Sequence, residues 1–172
     1  PVGMGLVMYT FNLLAAALAL PIHLATGNIP LASNLVNLAS TALAGYGTFL
    51  LVLYLLRPRS AASQQPTEDS HLRSPRSIIH HASFILYAAA FIAGLIYAFA
   101  SSRMVYLALG HYMIVTTQWL PFFLLYFVRT LDGWRSRDAV IAGLFAALCL
   151  LTDMLYGVLI ALMAGVLLLD WW

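Results

Sequence analysis

Stretches of twenty or more mostly apolar residues recur along this chain, and no other feature limits its fold so strongly. A helix needs about 20 such residues to cross a hydrocarbon core of about 30 Å. Leu31 to Leu56 and Ile78 to Ala100 meet that length cleanly. Met4 to Ala25 approaches it but is interrupted by Asn12, Pro21 and His23, so a span, a re-entrant segment and a pair of interfacial helices all stay open. Met104 to Val128 is broken by Gly110-His111 and again by Gln118-Trp119-Leu120-Pro121. This reads as a short interfacial helix to about Leu109, a turn at Gly110-His111, and a span from near Tyr112 to Arg129. Ala139 to Leu169 would measure about 46 Å as one helix at about 1.5 Å per residue. That overshoots a bilayer, so a break near Thr152-Asp153 is expected, dividing the run into a short helix and a longer one. The expected fold is an all-α, polytopic transmembrane helix bundle with broken and interfacial helices and four to six spans.

Composition agrees with lipid as the main solvent. Of the 172 residues 63% are hydrophobic and 8% charged, where soluble domains carry roughly a quarter charged residues. A net charge of +2 is too small for a nucleic-acid footprint, so no nucleic-acid partner is expected. The single cysteine, Cys149, excludes an internal disulfide framework and reads as a buried small hydrophobe. No P-loop, dinucleotide fingerprint, HExxH or serine elbow is present. Pro1 opens the chain without a charged n-region, and Asp170-Trp171-Trp172 closes it directly after an apolar run. The reading expects either a processed protein or an internal stretch of a longer one.

Three regions follow: residues 1–56, an external or re-entrant segment plus the first clear span; residues 57–77, a polar cytoplasmic linker; and residues 78–172, three or four further membrane helices. Asn28-Ile29-Pro30 opens the first clear span as a turn, and Arg57-Pro58-Arg59 closes it. The stretch Arg57 to Arg76 is rich in Ser and Pro, lacks apolar periodicity and holds four arginines, while Arg129 to Arg137 holds three. Short cytoplasmic loops collect positive charge, so both loops are expected inside and Ser101 to His111 outside. Asp138 is placed as the N-cap of the following helix. Rows of small residues four apart, Ala90/Gly94/Ala98 and Gly157/Ala161/Gly165, are expected at helix contacts. Asn34, Asn37 and Thr41 share one face that should point at other helices.

Candidate chemical residues are few. Asp153 is the one acidic residue inside an apolar run, which makes it either a functional carboxylate or a helix break opening toward water. Arg103 stands beside Ser101 and Ser102, as a ligand for a lipid phosphate or as an interfacial anchor. His111 sits at the expected turn, as a site residue or a solvated turn histidine. Adjacent His80 and His81 diverge by about 100° on a helix and cannot chelate one metal as an i, i+4 pair would. His23 alone gives a weak axial-ligand signal. No cofactor is assigned.

In order along the chain come a short helix from Ser101, Gly110-His111, Gln118-Trp119-Leu120-Pro121, an arginine-bounded loop, and an Ala-Gly-Leu helix ending Leu151-Thr152-Asp153-Met154-Leu155-Tyr156. This succession resembles the middle of large bacterial polytopic glycosyltransferases of the GT-C structural type. The opening PVGMGL and the NLASTALAGY stretch over Asn37 to Tyr46 resemble the region after the first external loop of such proteins. The resemblance implies transfer of sugar from a lipid-phosphate carrier on the external face of a cell membrane, expected to be a bacterial inner membrane. It also implies a catalytic carboxylate in the first external loop, yet no Asp or Glu occurs before Glu68. By resemblance Arg103, His111, Gln118 and Asp153 lie on the lipid-carrier side of the cavity. The competing reading is a non-catalytic transmembrane subunit of a large membrane assembly, such as a photosynthetic or respiratory complex. Membrane lipids are partners under either, a lipid-phosphate carrier under the first and other membrane subunits under the second.

Overall fold

The computed structural model describes residues 13–57, 75–109 and 116–171, with side chains from 83 onward in the second of these segments. Helix is its only regular structure among the described residues: α1 (Leu13–Thr26), α2 (Ile29–Leu56), α3 (Pro75–Ala98), α4 (Ser101–Ala108), α5 (Trp119–Gly133), α6 (Ser136–Thr152) and α7 (Met154–Trp171). The chain folds as an all-α bundle. Ile29–Leu56, the run Ser83–Ala108 formed by α3 continued through α4, and Met154–Trp171 are long and apolar enough to cross a membrane. The chain is a membrane protein.

Helix ends follow from local chemistry. Gly27, at φ +64°, turns the chain out of α1 in a left-handed conformation open to glycine. Asn28 then caps α2, its side chain accepting a 3.0 Å hydrogen bond from the Leu31 amide. Pro30 falls in the first turn, where its missing N–H costs nothing. Arg57 ends α2, and α3 starts at Pro75, three residues before the expected Ile78. Thr152 back-bonds to the Leu148 carbonyl at 2.8 Å at the end of α6, after which Asp153 alone is extended (φ −159°, ψ 134°) before α7 begins.

Side-chain contacts fix the direction of each helix. Ser40 meets Gln118 and Tyr54 meets Asp132, so α2 and α5 run parallel. Gly45 packs on Ala98 and Gly94, and Phe49, one turn later, packs on Gly94, which sets α3 antiparallel to α2. Phe145 of α6 stacks on Trp119, Phe122 and Tyr126 of α5, while Phe123 joins Ala142, Cys149 and Ile160 in the core. Cys149 is buried there as expected. Trp171 at the end of α7 meets Trp134 edge-on at 5.4 Å between centroids. The α6–α7 pair is therefore a hairpin that turns at Asp153. Arg129 and Asp138 pair at 3.6 Å, so the α2, α5 and α7 C-termini share one end with the start of α6. Arg103 lies at the other.

Four expectations are corrected. The span expected from near Tyr112 to Arg129 is redrawn where it is described: residues 110–115 lie outside the described residues, Thr116 and Thr117 are non-helical, and α5 begins at Trp119 and passes through Arg129 to Gly133. At 15 residues it measures about 22 Å. The break at Thr152-Asp153 occurs where expected, but its arms have 17 and 18 residues and are not short and long. Asp138 is not the N-cap: Arg135 occupies that position, and Asp138 sits buried in the first turn facing Arg129. Its carboxylate satisfies a cation from the neighbouring helix instead of an amide of its own. The Gly157/Ala161/Gly165 row packs a helix only at its start: a Cβ at Gly157 would run into Leu150 of α6, whereas Ala161 is exposed and a Cβ at Gly165 would meet open space.

Candidate functional site

Polar side chains are scarce in this bundle, and most of the buried ones gather at the Arg103 end. The segment Thr116-Thr117-Gln118 runs non-helically through the apolar interior, leaving backbone groups that need partners. Tyr97 of α3 donates its hydroxyl to the Thr117 carbonyl at 3.3 Å. Arg103 of α4 donates from Nη1 to Thr117 Oγ1 at 3.1 Å and lies 5.8 Å from the Tyr97 ring centroid. Only 5% of its surface is exposed, so its guanidinium is held inward by a hydroxyl and an aromatic face.

Gln118 is equally enclosed, at 4% exposure. Its amide and Ser40 Oγ lie 2.6 Å apart. With Nε2 directed to Ser40 and to the Thr116 carbonyl (3.2 Å), Oε1 accepts from the Trp119 indole N–H at 3.1 Å. That orientation satisfies every neighbour, joining α2 to the start of α5 through one side chain.

Asp153 is half-buried. Its Oδ1 accepts from the Leu155 amide at 2.9 Å, capping α7. Tyr156, one turn into α7, stands within electrostatic range of both Asp153 and Arg103. Of the four residues that the resemblance places on one side, Arg103, Gln118 and Asp153 thus fall at one end of the bundle. His111 lies outside the described residues.

Sequence reasoning missed Ser40, Tyr97, Thr116, Thr117 and Tyr156. The Thr116-Thr117-Gln118 run, three hydrogen-bonding residues in an otherwise apolar stretch, was the available signal. Ser40 sits one turn beyond Asn37 and extends the polar face already noted on α2.

A second feature is a lateral cavity of about 800 Å³ between α2, α3 and α4. Asn34, Asn37 and Thr41 line it toward one end, and apolar residues such as Tyr46, Phe49, Phe91 and Leu95 line the rest. The expected polar face of α2 therefore looks into a groove: Asn37 and Thr41 are buried, and Asn34 is exposed at the mouth. Among the described residues no cluster of three or more His, Cys, Asp or Glu side chains is arranged to hold a metal. No family model matches the chain, and neither a curated protein nor a solved structure shows significant similarity to it.

Proposed function

We propose that the chain is the membrane-embedded part of a GT-C-like protein that transfers sugar from a lipid-phosphate carrier on the external face of a bacterial inner membrane, which it crosses several times. One observation carries this reading: a buried arginine and a half-buried carboxylate, both within electrostatic range of Tyr156, gather at the end opposite Arg57, Arg129, Arg135 and Arg137. Positive charge marks cytoplasmic ends, which makes the Arg103 end external. A desolvated guanidinium there suits a phosphate oxyanion.

Binding of polyprenyl phosphate by the reconstituted protein tests the reading. Arg103→Ala is expected to weaken it at least tenfold and Arg103→Lys to recover part of the loss. Unchanged affinity in a folded Arg103→Ala protein counts against the reading. Orientation has its own test. A cysteine introduced at Ser63 should stay unlabelled by an impermeant reagent applied to intact cells.

The outward row on α7 favours a second reading, a non-catalytic transmembrane subunit. Beyond Gly157, which sits against Leu150 of α6, Ala161 and Gly165 present a smooth strip that a helix of another subunit could approach closely. Cross-linking from Ala161 in native membranes to a different polypeptide would support it.

A further inference from the structure

The groove between α2, α3 and α4 is apolar along most of its length, opens sideways, and carries hydrogen-bonding groups toward one end. Counting back from Leu56, beside the Arg57 cap, Asn37 lies about 28 Å up the α2 axis, close to the ~30 Å depth of a hydrocarbon core. Asn34 and Asn37 therefore sit at the interface opposite Arg57, where lipid chains join their head groups. From Asn37 the groove follows α2 to Phe49, about 18 Å, slightly more than half of the ~30 Å core. Its polar end and its depth match one chain of a lipid in that leaflet.

Asn37 supplies the specificity. It is 7% exposed and lines the groove. Its backbone carbonyl accepts from Thr41, while its side-chain amide makes no hydrogen bond to protein among the described residues. Hydrocarbon offers such an amide nothing. A carbonyl oxygen on a bound lipid would accept its N–H.

Charge decides which lipid. Among the described residues no cation lines the groove; Arg103, although on α4, is turned to Thr117 and Tyr97 on the other side. Neutral amides and a hydroxyl suit a neutral ester carbonyl, whereas a chain ending directly in phosphate calls for a charged partner. We infer that this groove binds one acyl chain of a diacyl glycerophospholipid from the leaflet opposite Arg57, with its ester carbonyl accepting a hydrogen bond from the Asn37 amide. The site is independent of the proposed transfer reaction.

A diacyl phosphatidylglycerol with a photoactivatable group in one acyl chain, and its diether analogue with the same chains, test this on the protein reconstituted in nanodiscs. Ester lipid should label groove residues of α2 and α3, and the ether analogue should label them at least fivefold less. Ala42→Trp, which places a ring in the groove from an exposed position, should abolish labelling while leaving the protein monodisperse. Asn37→Leu should bring the two lipids to equal labelling. Equal labelling of the unaltered protein by ester and ether lipid overturns the inference without relying on any variant. Displacement of the ester lipid by equimolar polyprenyl phosphate also overturns it, since the groove would then prefer the phosphate-terminated chain.

Discussion

Two helices carry the same spacing of small residues and use it in opposite ways. On α3, Ala90 and Ala98 are 0% and 4% exposed, and Gly94 lies so near α2 that an added Cβ would stand 2.7 Å from the Gly45 carbonyl oxygen. On α7, Gly157 sits against Leu150 of α6 beside the hairpin turn, but Ala161 and Gly165 face away, and the residues one position earlier, Ile160 and Ala164, pack toward α5 and α6. The difference lies in the partner helix. Gly45 provides a notch opposite Gly94, and the crossing closes because both sides are small. Small residues four apart permit close approach, but it takes a complementary surface to bring it about.

Matched substitutions put the largest effect on that contrast. Gly94→Leu inserts a side chain where even a methyl group must push two backbones apart, an overpacking cost of about 1–3 kcal/mol or more. Gly165→Leu meets open space, and a site without packing consequences shifts stability by about 0.5 kcal/mol at most. Unfolding of both proteins in mixed micelles should separate them clearly. Equal destabilisation would mean that the α7 row is already packed. If Gly165→Leu leaves stability intact yet abolishes a cross-link to another polypeptide, the strip on α7 is an interface.

A smaller effect should come from Gln118, which joins the well-packed half of the bundle to the entry of α5. Gln118→Leu keeps the volume but strands Ser40, the Thr116 carbonyl and the Trp119 indole N–H, and unsatisfied buried polar groups cost about 1–3 kcal/mol each. Ser40 can turn its hydroxyl back to a carbonyl of its own helix, which should bring the total toward the lower figure. Trp119 fluorescence provides a local readout. An unshifted emission maximum and unchanged stability would show that Gln118 is not the tie between α2 and α5.

What could be read in advance follows the same physics. Apolar length located α2, α3 and the break at Asp153, because a bilayer imposes a length and a chain exceeding it must bend. The caps at Asn28 and Pro30 were legible because their chemistry is local. The start of α5 was not, since Tyr112 to Val128 has the apolarity of a span. Only the tertiary hydrogen bonds to Thr116, Thr117 and Gln118 make a non-helical entry affordable there. Asp138 was misplaced for a related reason: its spacing fits a cap, but Arg129, on the preceding helix, claims the carboxylate. Of the site, Arg103, Gln118 and Asp153 stood out as polar interruptions, while Tyr97 and Tyr156 were indistinguishable from interfacial aromatics.

The smallest expected effect concerns Asp153, at the turn joining the two arms of the hairpin. Its Oδ1 caps the Leu155 amide, so Asp153→Ala should cost about 1 kcal/mol, the usual worth of an N-cap, and speed amide exchange at Leu155. Asparagine caps a helix about as well as aspartate, so Asp153→Asn should restore the stability and the protection. The pair separates two roles that the position allows. If the cap alone matters, Asp153→Asn binds polyprenyl phosphate as the unaltered protein does. If the negative charge orients Tyr156 and Arg103 toward a ligand, Asp153→Asn folds normally and alters binding. A carboxylate retained only as a cap would then leave Arg103, among the described residues, as the sole charged group at that end available to the carrier.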